Sequence, residues 1–436
     1  MRGRRLLLAA ALLLLGAPAA VAQSPGSAPA AGESGSTPTP PTTSATPALP
    51  TVRLGALLPL TGPGAWFGKE MRQGMELAIA ALNAPRPQIP RADRLDGVAG
   101  EDQKATAVAQ RALARLLPAP GVTLALEAVD LHPLDVKRAR DEFARLAGLG
   151  AAVVFTASAG PALAIQPMAA ARGILVIHQG AATARFAPGS RTLLHTRPSV
   201  DSQVDGLLAH VAGRRLRRLA VVAAGDEFGK AVRAAVSVRS RERGGTVVAE
   251  ESLTLDAPDL PARLRQLVRA GPEAIVLGFR GPELGEMAER LRAARYVGPL
   301  YLLDDDRSAR LAGGVALQGA VIVTDAFVPE LAAPSERFAG AYRTKFGETP
   351  SRYAAHAYDA VVMLAEGIRR ALADRRGIPG GSRLREALTV LGRVPSVYGD
   401  SVVLRDDGSL TAPLALFTVD GGDLAFVRYV GPADRS

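Results

Sequence analysis

Short apolar runs alternating with helical patterns constrain this chain more than any other feature. Candidate strands fall at 52–58, 122–129, 152–155, 174–177, 219–223, 246–251, 274–277, 300–303 and 321–323. Candidate helices fall at 69–83, 136–149, 161–172, 201–213, 229–243, 259–269, 282–294, 335–345 and 353–374. Apolar runs without alternation mark strands buried on both faces, and strands separated by helices imply right-handed βαβ units in parallel sheets. About nine strands over about 380 residues suit two sheets better than one. In the last helix Val361, Leu364, Ala365, Ile368 and Leu372 share one face, which is a core stripe.

The tail changes grammar. Runs at 397–405, 415–419 and 424–429 are separated by Asp406-Asp407-Gly408 and Asp420-Gly421-Gly422-Asp423, the pattern of an antiparallel meander. Between Asn83 and Val122 lies a stretch with prolines at 85, 87, 90, 118 and 120 and one helical piece near 106–117. That length of connection reads as an inserted element, 84–121, without evident chemistry.

The N-terminus carries an export pattern. Arg2, Arg4 and Arg5 precede an apolar core from Leu6 to Leu15, and Ala20-Val21-Ala22 supplies a small-residue cleavage site. A core of ten residues is short of the roughly 20 needed to span a bilayer, so residues 1–22 are expected to be a cleaved signal peptide and the product periplasmic. Residues 23–50, rich in Pro, Ser and Thr, lack the large apolar side chains that offset ordering entropy and are expected to form a disordered tether. There is no cysteine, so neither a disulfide nor a lipid-modified N-terminal cysteine is available. The formal charge is +10, less three when the signal arginines leave. Arginines spread along amphipathic helices, such as Arg233, Arg239, Arg241 and Arg243, read as solvated faces rather than a nucleic-acid surface.

At the start of the folded part, Val52-Arg-Leu-Gly-Ala-Leu-Leu-Pro-Leu-Thr-Gly-Pro-Gly-Ala-Trp-Phe-Gly68 breaks from a strand into a Gly/Pro loop before a helix. Such loops lie at the carboxyl end of a strand, where α/β proteins bind ligands, and this one sets Trp66 and Phe67 at that mouth. With Asp226-Glu-Phe-Gly229, Gly278-Phe-Arg-Gly-Pro-Glu-Leu-Gly285, Tyr353-Ala-Ala-His-Ala-Tyr-Asp-Ala360 and the closing meander, it resembles the leucine/isoleucine/valine-binding proteins, a branch of the type I periplasmic binding proteins. The likeness covers 52–430, and each motif is weak alone but specific in order and spacing.

The resemblance implies two Rossmann-like α/β lobes with parallel sheets joined by three crossovers. The first lobe would comprise 51–198 plus 303–395, the second 199–302 plus 396–430. It implies a small-molecule ligand in the cleft, an ABC permease as partner, a monomer, no catalysis and no cofactor. Family positions carry over to Phe67, with Trp66 beside it, and to Phe228 as rings around an apolar ligand moiety. Glu283 would receive an ammonium, although it also opens a helix, where an acid is favoured without any ligand. The hydroxyl positions for a ligand carboxylate fall on Ala159 and Ala182, with Ser158 and Thr183 one residue away and Ala181 in the same turn. His178 and Gln179 stand where the family commonly has Ser-Pro. Arg280 offers a carboxylate clamp.

Three other readings compete. Thr156-Ala-Ser158-Ala-Gly160 is one substitution from the hydrolase elbow, with His356 and Asp325 as partners, although Ser at a strand-to-helix turn is commonly an N-cap. The five histidines are scattered without metal spacing, and Asp304-Asp305-Asp306 reads as a solvated charge run. The third is the same fold used as a sensor or an activator of cell-wall enzymes. The expectation adopted is a solute-binding protein that captures an amino acid or a related amide or carboxylate for an ABC importer.

Overall fold

Four of the expected strands, with a fifth too short to show in the pattern, form the first sheet. A computed structural model describes residues 49–84, 121–180, 186, 190–303, 307–325, 327–373, 377–405, 408–411 and 413–430. The signal, the tether up to residue 48, the 84–121 insertion apart from its edges, Ala181, Ala182, Thr183 and Asp304–Asp306 lie outside them.

Strands β1 (Thr51–Leu58), β2 (Thr123–Asp130), β3 (Ala151–Thr156), β4 (Leu175–His178) and β5 (Leu193–His195) pair in the order β2-β1-β3-β4-β5, all parallel. Both faces are apolar because both are covered. Leu54, Phe155 and Ile177 face the helices Ala65–Asn83, Ala333–Phe346, Arg352–Ala373 and Gly381–Leu391, while Leu57, Val154 and Val176 face Val136–Gly148 and Ala159–Arg172. Each fully buried aliphatic or Phe side chain contributes roughly 1.5–3 kcal/mol. The helices Ala65–Asn83 and Arg352–Ala373 cross so closely that a Cβ at Gly74 would lie 2.2 Å from the Ala354 carbonyl oxygen, which is why that position carries glycine.

The second sheet combines β6 (Arg218–Ala223), β7 (Thr246–Ser252), β8 (Ala274–Gly278), β9 (Leu300–Leu302) and β10 (Val321–Asp325), which are parallel. A third sheet follows in the chain: β11 (Arg393–Ser396), β12 (Gly399–Leu404) and β13 (Leu410–Thr411), all antiparallel. The hairpin of β14 (Leu414–Asp420) and β15 (Asp423–Val430) then closes the second sheet in the order β15-β14-β10-β9-β8-β6-β7. Its two turn residues, Gly421 and Gly422, have φ of 58° and 87°, the left-handed pair that a two-residue hairpin requires.

Three crossovers join the lobes: 196–199 after β5, 326–332 after β10, and the stretch between β13 and β14. Two placements differ from the sequence expectation. β10 lies in the stretch assigned above to the first lobe, yet it pairs with β9 and β14 of the second sheet. The 397–405 run, expected in the second-lobe meander, belongs to the third sheet. Its Val397, Tyr398, Val402 and Leu404 are buried in the first-lobe core, and the His195 backbone N–H donates to the Gly408 carbonyl at 2.9 Å, linking β5 to that sheet. An apolar run reports burial but not which of two sheets buries it.

Candidate functional site

The carboxyl ends of β2 and β3 in the first lobe face those of β6 and β8 in the second, as in the ligand crevices of open α/β sheets. Between them lies a cleft of about 440 Å³. Pro133, Leu134, Val136, Arg140 and the Ser158–Gly160 turn line one wall; Gly225–Phe228, Lys230 and Arg280 line the other. The lobes also touch beside it, where the Ala159–Arg172 helix meets the Glu227–Glu242 helix and the Gly62–Gly64 turn meets the Gly281–Ala293 helix.

Ser158 sits at the N-cap of Ala159–Arg172 with extended backbone (φ −121°, ψ 137°), but its hydroxyl makes no capping bond. It is only 8% exposed. The first-turn N–H groups have no partners within the helix and carry its positive dipole end, which suits an anion. On the opposite wall Asp226 does cap its helix, accepting from the Gly229 backbone N–H at 2.7 Å. A Cβ at Gly229 would lie 2.0 Å from the Ala224 carbonyl oxygen. The Asp-Glu-Phe-Gly motif therefore owes its first and last residues to the turn itself.

Phe228 is not an open platform: it is 2% exposed and part of the second-lobe core. The Arg280 guanidinium lies 3.9 Å over its ring and 4.0 Å from the Asp226 carboxylate. Arg280, not the ring, presents to the cleft. Glu283, one turn into the next helix, is not on the cleft wall. Desolvation of its carboxyl, then repulsion from Asp226, Glu286 and Asp256, push its pKa up; the residue as a whole is solvent-exposed, so the repulsion is the part that counts.

Of the ten expected site residues, the structure brings Ser158, Ala159, Phe228 and Arg280 together. Ala181, Ala182 and Thr183 lie outside the described residues. Trp66 and Phe67 form an edge-to-face pair at 5.0 Å and pack on Tyr353 at 5.1 and 5.6 Å, away from this cleft wall. His178 and Gln179 are fully buried, with Thr156 Oγ1 3.0 Å from His178 Nδ1 and Gln179 Nε2 donating to the His356 carbonyl at 3.4 Å. They brace the floor rather than line the opening. Arg140, Lys230 and the Pro133–Leu134 turn belong to no recognisable motif, and only their place after β2 and β6 marks them.

Behind Tyr353 lies a buried ionic cluster that ties the first two crossovers to the turn between β11 and β12. Arg197, on the first, donates to Asp325 Oδ1 at 2.8 Å, and Thr324 donates to the same oxygen at 3.0 Å. Asp325 Oδ2, at the start of the second, is 2.7 Å from His356 Nε2 and 3.1 Å from the Tyr398 hydroxyl in the turn between β11 and β12. Arg197 and Arg352 stack on Tyr353 at 4.8 and 4.9 Å. Burial would raise the Asp325 pKa, but Arg197, His356 and Arg352 hold it well below the usual carboxylate range. Burial pushes the His356 imidazole down more than Asp325 raises it, so the ring is neutral beside an ionised carboxylate. Asp359, one turn on, accepts from Ser396 Oγ at 2.5 Å and the Val397 backbone N–H at 2.9 Å.

The hydrolase reading had the Asp325–His356 pair right and its partner wrong. Among the described residues no hydrogen bond joins His356 to Ser158. No cluster of three His, Asp or Glu side chains suited to a metal ion occurs among the described residues either.

The sequence profile of the periplasmic binding protein family matches residues 51–423. The chain belongs to the periplasmic binding protein family. No curated protein matches it. Its fold is similar to that of a leucine-binding protein, LivK, from Thermotoga maritima (18% identity, TM-score 0.72, 88% of this chain and 99% of that one). It is similar to an R. palustris ABC-transporter solute-binding protein in complex with benzoate (17%, TM-score 0.70, 88% and 96%). LivJ of Streptococcus pneumoniae, in complex with isoleucine, is a third (17%, TM-score 0.69, 88% and 100%). The family and these neighbours are solute-binding proteins, and the two-lobed α/β fold expected above is the one observed. No described helix is long and apolar enough to cross a membrane.

Proposed function

We propose that this protein is an exported solute-binding protein that holds a small carboxylate-bearing solute between its lobes and delivers it to an ABC importer. The observation that carries the reading is the pairing across the cleft of the uncapped Ser158–Gly160 turn with the Arg280 guanidinium. A carboxylate there meets a hydroxyl, helix N–H groups and a cation at once. Lys230 and Arg140 add positive charge to the walls, while Asp226 and Glu227 supply the acids. An ammonium on the same solute has a favourable place near Asp226 and Glu227 on the cleft wall. Trp66 and Phe67 act through Tyr353, setting the aromatic edge of the opening loop; the export pattern of residues 1–22 supports a periplasmic location, and the protein works there as a monomer.

Solute-free protein melted alone and with leucine, isoleucine, benzoate and a wider set of amino and aromatic acids tests this. A solute at 100 times its Kd adds about 2.7 kcal/mol, and Ser158→Ala and Arg280→Ala should each cut that gain by about half or more while keeping the unliganded melting temperature. Stabilisation that survives both substitutions would place the solute elsewhere. No stabilisation by any carboxylate, with capture of a defined protein partner, would favour the sensor or activator reading.

A further inference from the structure

Strands β6 to β10 run parallel, so the turns that lead into them sit side by side at the end of the second sheet away from the cleft. From β10 to β7 in sheet order these turns are 314–320, 295–299, 270–273, 214–217 and 243–245. At about 4.8 Å per strand the row is about 20 Å long. Its character is graded. Val315 and Val297 are each 94% exposed at one end, Arg295 adjoins Val297, and Arg214, Arg215 and Arg217 are exposed further along. Arg292 fixes the apolar end, donating to the carbonyls of Ala316 (3.2 Å), Tyr296 (3.0 Å) and Gly298 (2.8 Å). The fold thus gathers arginines that lie far apart in the sequence, Arg214, Arg215 and Arg217 with Arg295. Among nearby acids, Glu273 accepts the Arg217 and Arg218 backbone N–H groups, Asp205 pairs with Arg239 and Arg243, and Asp420 and Asp423 lie in the hairpin turn beyond the valines.

A second, independent observation falls on the same row. Among the described residues, two that are not glycine adopt a positive φ: Arg215 at 60° and Arg295 at 67°. Each stands just past a helix, where the Ala159–Arg172 and Ala333–Phe346 helices use Gly173 and Gly347. Glycine takes that conformation without strain, and an arginine kept there despite it points to a role for the side chain.

We propose that this row is a docking face for an anionic lipid bilayer, with Val297 and Val315 entering the boundary between headgroups and acyl chains and the arginines meeting lipid phosphates. Nearly bare aliphatic side chains fixed among arginines favour a bilayer over a soluble polyanion, which would reward only the charge. The face lies opposite the cleft, so lipid and solute do not compete.

Co-sedimentation with vesicles of phosphatidylglycerol and phosphatidylcholine, against phosphatidylcholine alone, tests it. The chain without residues 1–22 is used throughout, so any contribution of residues 23–50 is common to the parent and its variants. Binding should require the anionic lipid and fall with salt. Arg215→Gly with Arg295→Gly should weaken vesicle binding roughly thirty-fold while leaving the melting temperature unchanged or higher, because the strain is relieved. Val297→Ser with Val315→Ser should weaken vesicle binding but leave binding to inorganic polyphosphate unchanged. Equal binding to neutral vesicles, no binding to anionic ones at low salt, or vesicle binding indifferent to either pair would overturn the proposal.

Discussion

The cleft and the crossover cluster both lie where the two lobes meet, and they treat polar groups in opposite ways. In the cleft, Ser158 is nearly buried yet leaves its hydroxyl and the helix N–H groups behind it without partners in the helix. In the cluster each Asp325 oxygen has two partners within 3.1 Å. Open hydrogen-bonding capacity facing space is what a solute can use; closed capacity in the interior fixes the strands about which the lobes would move. The fold thus separates holding the lobes in register from recognising a small molecule.

Substitutions should divide along the same line. The largest effect is expected from Asp325→Ala, which leaves Arg197 and Arg352 buried without their counter-charge and should cost about 3–5 kcal/mol in chemical denaturation. If stability barely changed, the cluster would not be the fixed element described. Next comes Arg280→Ala in the cleft. It should weaken binding of a carboxylate about ten- to a hundred-fold, the loss of one hydrogen bond to a charged group, with the melting temperature kept.

Asp359 sharpens the contrast through pH. Burial pushes its carboxyl up to about 7, partly offset by Ser396 and the Val397 N–H. Unfolded, the group titrates at about 3.9, so between those values the folded state holds a proton that the unfolded state has lost. Stability therefore falls as pH rises across that window. Asp359→Asn, which still accepts from Val397, should flatten the slope between about pH 4 and 7; an unchanged slope would mean the carboxyl ionises normally. The smallest effect is expected from Asp226→Ala, which removes the bond to the Gly229 N–H. Loss of such a cap costs about 1 kcal/mol, readable as a modest drop in melting temperature.

Most parallel strands of the first two sheets are legible because strands covered on both faces leave continuous apolar runs, as Val153–Phe155 and Ile275–Leu277 do, whereas the three residues of β5 are too few to show. Which sheet a run joins was not, since β10 and the 397–405 run are buried either way. In the cleft, the turns after β3, β6 and β8 could be found from their place between strand and helix. The direction of an aromatic side chain could not: Trp66 and Phe67 open a helix at the right mouth but turn toward Tyr353. In the Tyr353–Ala360 motif the polar members His356 and Asp359 tie down the second crossover and the turn between β11 and β12, a role that depends on partners about thirty to forty residues away and leaves no local pattern.

Calorimetric titration with isoleucine and with benzoate, repeated on a Ser158→Ala, Arg280→Ala double variant, tests the central claim most directly. The account predicts one-to-one binding of a carboxylate by the parent protein and none by the double variant, whose melting temperature stays that of the parent. Binding of equal affinity in both proteins would contradict it.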